Sequence, residues 1–293
     1  LIAENILKAL SSKLQLPQAN FPGPFDHIAL VLEGCYTDCG WGAWANLDHW
    51  LSVYQDWYYL SARTQMHEIG HNFGFEHSSV AGSASRESDH ACTMGNPLYG
   101  DDEGRMCFNP AKSFWTNWYT VDTVSSIDLL VGSGWTGVLM GAGEWEDYPS
   151  GVIPVIVRID TSEDDDYFVG FNRAAGANSD NVDGDDAVTV TKANGQQIYS
   201  LSTRVFMGYT GESYYIPNFE GSGRDLAITV NDIDITESPG LANVTISLPS
   251  MPTTPSPAAS PVSASPTVYL NDPTTPQPTP SPDSGANGDP IIL

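Results

Sequence analysis

The segment that decides the fold and the chemistry of this chain runs from Gln65 to His77 and reads QMHEIGHNFGFEH. It has the spacing HExxHxxGxxH, with His67, Glu68 and His71 in its first half. Residues four apart lie on one face of an α-helix, so the two histidines project from neighbouring turns and can hold one ion. We therefore predict a helix over residues 62–73 that carries a metal site.

The end of this helix brings a third histidine to the same ion. Glycine readily adopts the left-handed conformation that ends many helices, and Gly74 stands at that position. The chain then turns sharply and returns His77 towards His67 and His71. Glu68 lies about 100° around the helix from His67, so we expect it to reach a water molecule on the ion and not the ion itself.

This donor set is that of a catalytic zinc ion. Three imidazoles leave one position of a tetrahedral ion open, whereas structural zinc sites are closed. Zinc lowers the pKa of a bound water to ~7 and polarises a carbonyl group, while Glu68 accepts the proton and passes it to the leaving amine. The pattern predicts a zinc peptidase with one catalytic Zn²⁺, although imidazole sites also accept copper, cobalt or nickel.

The surrounding sequence predicts layers of helix and sheet. Helical spacing covers Ile2 to Leu14. Strands are expected at His27–Leu32, Trp41–Asn46 and Trp50–Tyr54. The apolar residues expected to form the buried stripe of the metal-binding helix are Leu60, Met66, Ile69 and Phe73.

Composition divides the chain into three regions. Residues 1–119 hold all six histidines, and residues 120–248 contain short β-rich runs separated by Gly, Asn and Asp, as in a sandwich or barrel. Residues 249–293 hold 12 of the 21 prolines and no Lys or Arg, which is typical of a disordered tail. We predict an α+β fold with a mixed-sheet peptidase domain, an all-β sandwich-like domain and a Pro/Ser/Thr-rich tail.

Charge and hydropathy argue against a nucleic-acid partner and against a membrane span. The chain has 11 Lys and Arg against 36 Asp and Glu, a net charge of −25. Nucleic-acid binders neutralise phosphates with clustered cations, so no nucleic-acid partner is expected. No run of 18 apolar residues occurs, so no membrane span is expected. Acidic clusters at Glu163–Asp166 and Asp180–Asp186 suit solvated loops or, alternatively, calcium ligands.

The cysteines fit two disulfides. They are Cys35, Cys39, Cys92 and Cys107. We predict local pairing, Cys35 with Cys39 and Cys92 with Cys107, which places the protein in an oxidising compartment. Four buried free thiols are the alternative, and the spacing lacks the CxxC rhythm of a zinc ribbon.

The motif and its flanks resemble the metzincin zinc peptidases, and within them the gametolysin-type, algal cell-wall-lysing family. The matching stretches are QMHEIGHNFGFEHS (65–78), CTMGNPLYGDDEGRMCFNPAKSFWTNWY (92–119) and CGWGAWANLDHWLSVYQDWYYLS (39–61). The resemblance implies that Met94 is the Met-turn residue, a hydrophobic floor that does not bind the metal. It also implies that Trp41–Asn46 is the edge strand beside the cleft, where a peptide substrate can align with unpaired backbone groups.

The same resemblance implies that residues 1–119 form a metzincin-like domain. Such a domain has a further strand before its first helix, so we expect the N-terminus to be truncated. Some metzincins place an additional Tyr ligand two residues after the Met, but Asn96 occupies that position and no such ligand is implied.

The resemblance implies a secreted endopeptidase acting on extracellular matrix or cell-wall glycoproteins. The β-rich region and the tail leave open a wall-binding or adhesion module with a vestigial metal site. A zinc hydrolase of a non-peptide amide is a third possibility. The intact Glu68 argues against the adhesion module, because a purely structural zinc ion does not need that carboxylate.

Overall fold

The computed structural model describes residues 2–15, 17, 21–23, 25–33, 41–95, 104–124, 134–148 and 150–249. The α-helices in these residues are α1 (Ile2–Leu14), α2 (Ala62–Asn72) and α3 (Pro110–Trp115). The strands are β1 (Ile28–Leu32), β2 (Ala43–Ala45), β3 (Leu51–Gln55), β4 (Ser78–Val80), β5 (Thr123–Val124), β6 (Trp135–Met140), β7 (Ile156–Ile159), β8 (Asp165–Asn172), β9 (Ala187–Asn194), β10 (Ser202–Gly208), β11 (Ser213–Ile216), β12 (Leu226–Asp234) and β13 (Leu241–Ser247). None of the described helices is long and apolar enough to cross a membrane.

The first sheet lies next to α2 and has the order β1-β3-β2. Strand β1 is parallel to β3, and β2 is antiparallel to it. Its buried side chains Leu30, Leu51 and Val53 pack with Leu7 and Leu10 of α1. The predicted first helix, the three strands and the mixed sheet are therefore confirmed.

The β-rich region forms a sandwich of two sheets. One sheet has the order β4-β10-β9-β8-β7-β5, and the other has the order β11-β12-β13-β6. They bury a common apolar core, to which β8 and β9 contribute Val169 and Val190, and β12 and β13 contribute Ile228 and Val244. Burial alternates along β13, as expected for a strand with one face in a core. The α+β class is confirmed, and a separate all-β domain stays a prediction.

The sandwich also holds the segment that follows the motif. Strand β4 pairs in parallel with β10, with Ser78 opposite Ser202. The amide of Ser202 donates a hydrogen bond to the carbonyl of His77 at 3.3 Å. Residues Leu1–Met251 form one compact unit. The domain boundary between residues 119 and 120 stays a prediction, and β4 and β10 share a sheet across it. The predicted tail from residue 250 onward lies outside the described residues.

The structure contradicts the predicted disulfide between Cys92 and Cys107, because both are free thiols. The sulfur of Cys92 serves instead as a buried acceptor for the backbone amides of Met94 and Asn109, at 3.4 and 3.2 Å. Burial raises the pKa of the Cys92 thiol to about 11, which keeps it protonated and unreactive. The segment with Cys35 and Cys39 lies outside the described residues, so their pairing stays a prediction.

Two carboxylates of the acidic clusters in the sandwich pair with arginines. Buried Asp166 accepts a hydrogen bond from Arg158 Nε at 2.7 Å, and Asp186 accepts one from Arg173 Nη1 at 2.6 Å. These two carboxylates have cationic partners, whereas the exposed residues of the clusters fit the solvated loops considered from the sequence: Glu163, Asp164, Asp180 and Asp185.

Candidate metal centre

Local features at both ends of α2 fix the direction of its histidines. Ser61 Oγ caps the N-terminus by accepting a first-turn amide at 3.1 Å. At the other end Gly74 has a φ of 97°. The amides of Gly74 and Phe75 donate to the carbonyls of His71 and Gly70 at 2.8 and 2.9 Å. This Schellman-type ending turns the chain sharply, as predicted for Gly74.

The buried face of α2 is polar, which corrects the predicted apolar stripe. Leu60 is 78% exposed and Phe73 is 39% exposed. By contrast, His67, Glu68 and His71 are buried. The prediction was wrong because it assigned the inner face of the helix to an apolar core, whereas that face carries the candidate metal centre.

The three histidines of the motif converge. One ring nitrogen each of His67, His71 and His77 lies within 4.8 Å of the other two, and no other such cluster of His, Cys, Asp or Glu occurs in the described part of the chain. The ring centroids are 4.8 to 5.4 Å apart. The structure therefore brings together the three side chains that the spacing predicted as ligands.

Backbone carbonyls orient two of the three rings. His67 Nδ1 lies 2.8 Å from the carbonyl of Thr93, and His71 Nδ1 lies 2.7 Å from that of Phe75. A carbonyl only accepts, so each Nδ1 carries the proton and each Nε2 keeps its lone pair for a metal ion. Burial, together with the neighbouring His71, lowers the pKa of His67 to about 3. Burial also lowers the pKa of His71, so both rings are neutral near pH 7.

Two glutamates flank the third ring. Glu76 Oε1 lies 3.3 Å from His77 Nδ1, and Glu87 Oε1 lies 3.4 Å from His77 Nε2. Glu76 also accepts the amide of His77 at 3.1 Å and pairs with Arg86 at 3.2 Å. Burial lowers the pKa of His77, although Glu76 opposes this shift. A carboxylate at Nδ1 favours the tautomer that leaves Nε2 available to a metal ion.

Glu68 lies in the same cleft without a hydrogen bond that would explain its burial. Its Oε2 atom has no hydrogen-bond partner within the described residues. Burial, with a smaller contribution from Glu87, raises the pKa of Glu68 to about 8. A buried carboxylate without a structural partner suits proton transfer, but its role as the base stays a prediction.

The three histidines and Glu68 line a cleft of about 320 Å³, which is bounded on one side by β2. Strand β2 is the last strand of its sheet and pairs only with β3 among the described residues. The side chains of Trp44 and Tyr58 form part of the cleft wall. The edge strand implied for Trp41–Asn46 therefore exists over Ala43–Ala45 and lies beside the cleft.

Met94 packs against the helix that carries the histidines. It is fully buried, and a Cβ atom built on Gly70 would lie 2.3 Å from its sulfur. The amide of Ser78 donates to the carbonyl of Met94 at 2.7 Å. Because the preceding residue, Thr93, orients His67, this turn packs beside the candidate centre. The assignment of Met94 as a Met-turn residue stays a prediction, as does its role in the reaction.

We expect Gly70→Ala to weaken metal binding. The added Cβ would displace the sulfur of Met94 and press on Phe108, which is 3.2 Å away. Since these groups support His67 and His71, the dissociation constant for zinc should rise about tenfold or more. Chelator competition measures this change.

Gly82→Ala is the control for general destabilisation. Its Cβ meets no atom within 4 Å, but a φ of 82° strains any side chain there. We expect this control to bind zinc as the unmodified protein does. Unchanged zinc affinity in Gly70→Ala would show that the packing of Met94 on α2 does not determine the geometry of the centre.

Comparison with known families gives a match that contains this centre. Residues 9–142 match the family model described as gametolysin peptidase M11. The match supports a gametolysin-like metallopeptidase family for this chain. It indicates a metallopeptidase hydrolase and therefore a protein substrate. No curated protein and no solved structure matches the chain.

Sequence reasoning missed three residues around the gametolysin-like centre. Glu76 lies inside the motif, directly before His77, and a carboxylate at that position was a usable signal. Glu87 lies in the loop after β4, and no spacing rule connects it to the histidines. Thr93 acts through its backbone carbonyl, so the type of its side chain gives no signal.

Proposed function

We propose that this gametolysin-like chain is a zinc-dependent endopeptidase. The observation that best supports the proposal is the convergence of three imidazoles beside the buried Glu68, whose Oε2 has no hydrogen-bond partner among the described residues. Nitrogen donors of this kind suit zinc, and three of them leave a coordination position for the reaction. His67, His71 and His77 would hold the ion through Nε2.

The proposed reaction divides the chemistry between the ion and the chain. When bound, zinc supplies a Lewis acid that polarises the scissile carbonyl and makes a water molecule more acidic. Glu68 accepts the proton of the attacking water and then donates it to the leaving amine. Burial raises its pKa, which favours the protonated form that donates to the leaving amine. The carbonyls of Thr93 and Phe75 keep the His67 and His71 rings oriented throughout.

The substrate is proposed to bind as an extended strand along β2. Edge strands present unpaired amides and carbonyls, which a peptide can pair with wherever its sequence allows an extended conformation. A Cβ atom on Gly42 would lie 2.5 Å from the ring of Tyr58, so this tyrosine packs directly on the backbone next to the strand. The cleft is therefore walled by backbone and aromatic surface, which accommodates an internal stretch of a polypeptide.

We further propose that the enzyme acts outside the cell on matrix or cell-wall glycoproteins. The support is the resemblance to algal cell-wall-lysing peptidases in the motif and its flanks. The net charge of −25 favours solubility, which suits a protein that works outside the cell.

Removal of the metal is expected to abolish hydrolysis, and stoichiometric zinc should restore it. The metal-free protein should also unfold at a lower temperature, because an ion that binds only the folded state stabilises it. The measurements are metal analysis, cleavage of a denatured protein with and without chelator, and thermal unfolding of the 293-residue chain.

One zinc ion per chain with fully zinc-dependent cleavage would support the proposal. Cleavage that persists after complete metal removal would contradict it. Zinc binding without cleavage of any protein would favour the wall-binding alternative.

A further inference from the structure

We infer that Glu87 is a fourth ligand of the bound ion in the resting protein, and that a water molecule or the substrate displaces it before hydrolysis. The inference rests on the proposed zinc-dependent function, and it adds a ligand and a means of latency to that centre. Glu87 lies in the loop after β4, outside the motif that supplies the three histidines.

The ring of His77 has a carboxylate at each of its nitrogens. Glu76 Oε1 lies 3.3 Å from Nδ1, and Glu87 Oε1 lies 3.4 Å from Nε2. A neutral imidazole carries its proton on one nitrogen and a lone pair on the other. With the proton on Nδ1, facing Glu76, the Nε2 atom and the Glu87 oxygen are both acceptors, and they repel each other unless a cation lies between them. A metal ion bound at Nε2 supplies that cation.

The spacing of these two atoms fits two ligands of one ion. Nitrogen and oxygen ligands lie about 2.1 Å from zinc, so two of them on a tetrahedral ion are about 3.4 Å apart. His77 Nε2 and Glu87 Oε1 have this separation, 3.4 Å. Both side chains also line the cleft that contains His67 and His71. Distance and position are therefore those expected of neighbouring ligands.

The Glu87 carboxylate has no cationic side chain of the protein to compensate its charge. In the described part of the chain it pairs with His77 and with no lysine or arginine. The neighbouring Arg86 pairs instead with Glu76 at 3.2 Å. The buried amine of Lys112 donates to a backbone carbonyl at 2.9 Å. An ion at His77 is therefore the natural partner of Glu87.

Glu87 is also the ligand that is most easily released. It is not part of the cluster of His67, His71 and His77, so it approaches the ion from the side of His77. Its side chain is 44% exposed. An exposed, flexible side chain loses rotamer freedom when it binds, whereas the rings of His67 and His71 are already oriented by backbone carbonyls. The bond from Glu87 to the ion should therefore be the weakest of the four.

Release requires only a rotation of the Glu87 side chain. Ser85 Oγ accepts the amide of Glu87 at 3.3 Å, and Ser88 Oγ accepts the amide of Val80 at 2.9 Å, which ties the loop to β4. The backbone can stay in place while the carboxylate turns from the ion to solvent. Zinc with four protein ligands is closed, and zinc with three has an open position for catalysis. This rotation would convert the first kind of centre into the second.

Cobalt substitution tests the inference without any cleavage. Imidazole sites accept Co²⁺, whose visible absorption depends on the number and kind of its ligands. In the full chain loaded with Co²⁺, Glu87→Gln should change this absorption, because an amide is a poorer ligand than a carboxylate. The dissociation constant for zinc, measured by chelator competition, should rise about tenfold. Glu237→Gln, the same substitution at an exposed position on the loop after β12, is the control and should change neither quantity.

Free imidazole measures whether Glu87 can be displaced. In its neutral form it is a metal ligand without a charge, so a carboxylate that does not bind the ion would not alter its affinity. In a titration of the cobalt-loaded proteins, Glu87→Gln should need about tenfold less imidazole for half-saturation than the unmodified chain. The reason is that a ligand competing for a closed centre binds in proportion to the open fraction.

An unchanged absorption spectrum, or equal imidazole affinity in the two proteins, overturns the inference. Complete loss of cobalt from a folded Glu87→Gln protein overturns it as well, because a ligand on which binding depends cannot leave for a substrate. Circular dichroism checks the fold, and Glu87→Ala repeats the comparison if the glutamine variant misfolds. Absence of peptide cleavage would contradict the proposed function and leave this inference standing, since neither measurement involves hydrolysis.

Discussion

Replacing Glu68 with glutamine is expected to reduce peptide hydrolysis by about 10²- to 10⁴-fold. The amide has nearly the shape of the carboxylate but cannot accept a proton from water. Because Oε2 of Glu68 has no hydrogen-bond partner among the described residues, the change should break no structural contact. Zinc content should stay near one ion per chain. Initial rates and metal analysis on the same preparation check both expectations.

The control for this change is Glu237→Gln, the same substitution at an exposed position. It should leave both rate and zinc content unchanged. Retained hydrolysis in Glu68→Gln would exclude this residue as the base. Loss of zinc together with activity would instead indicate that the carboxylate holds the centre together.

The ligand cluster could be predicted from the sequence because it depends on local geometry. His67 and His71 are one turn apart on a helix, and Gly74 supplies the conformation that returns the chain to His77. The partners of these rings are less accessible to sequence reasoning. Thr93 orients His67 from a turn that is distant in sequence, and Glu87 reaches His77 from a separate loop.

The architecture was predictable in its elements but not in their connections. The strands around Ile28–Leu32 and Leu51–Gln55 carry clear apolar runs, and the sandwich strands are separated by turn residues. Strand β4 has only three residues, and its partner β10 lies more than a hundred residues later. Such a pairing has no local signal. The prediction of an apolar stripe on α2 failed for a related reason, since a functional face obeys the chemistry of the site and not the pattern of a core.

A buried ion pair between Asp89 and Arg204 connects the segment after the motif to the sandwich. Asp89 Oδ1 lies 2.9 Å from Arg204 Nε, and both side chains are less than a tenth exposed. Asp89 also accepts a hydrogen bond from Ser78 Oγ at 2.8 Å, and Asn109 donates to the same hydroxyl at 2.8 Å. Burial raises the pKa of Asp89, although Arg204 and these hydrogen bonds oppose the shift. The network joins the strand that follows His77 to β10.

We expect Asp89→Ala to lower the free energy of unfolding by about 3 kcal/mol, the lower end of the range for breaking a buried pair. Arg204 would remain buried without its buried partner, and it would keep the pair with Asp183, which is 38% exposed, at 2.6 Å and a contact with the sulfur of Met207 at 3.2 Å. Denaturant unfolding of the zinc-loaded chain measures the change. The control is Asp165→Ala, which removes a half-exposed pair with Lys192 and should cost about 1 kcal/mol or less. Zinc should also dissociate more readily from Asp89→Ala than from the control, because β4 directly follows the third histidine. Equal losses of stability in the two variants would mean that the Asp89 network does not hold the motif segment to the sandwich.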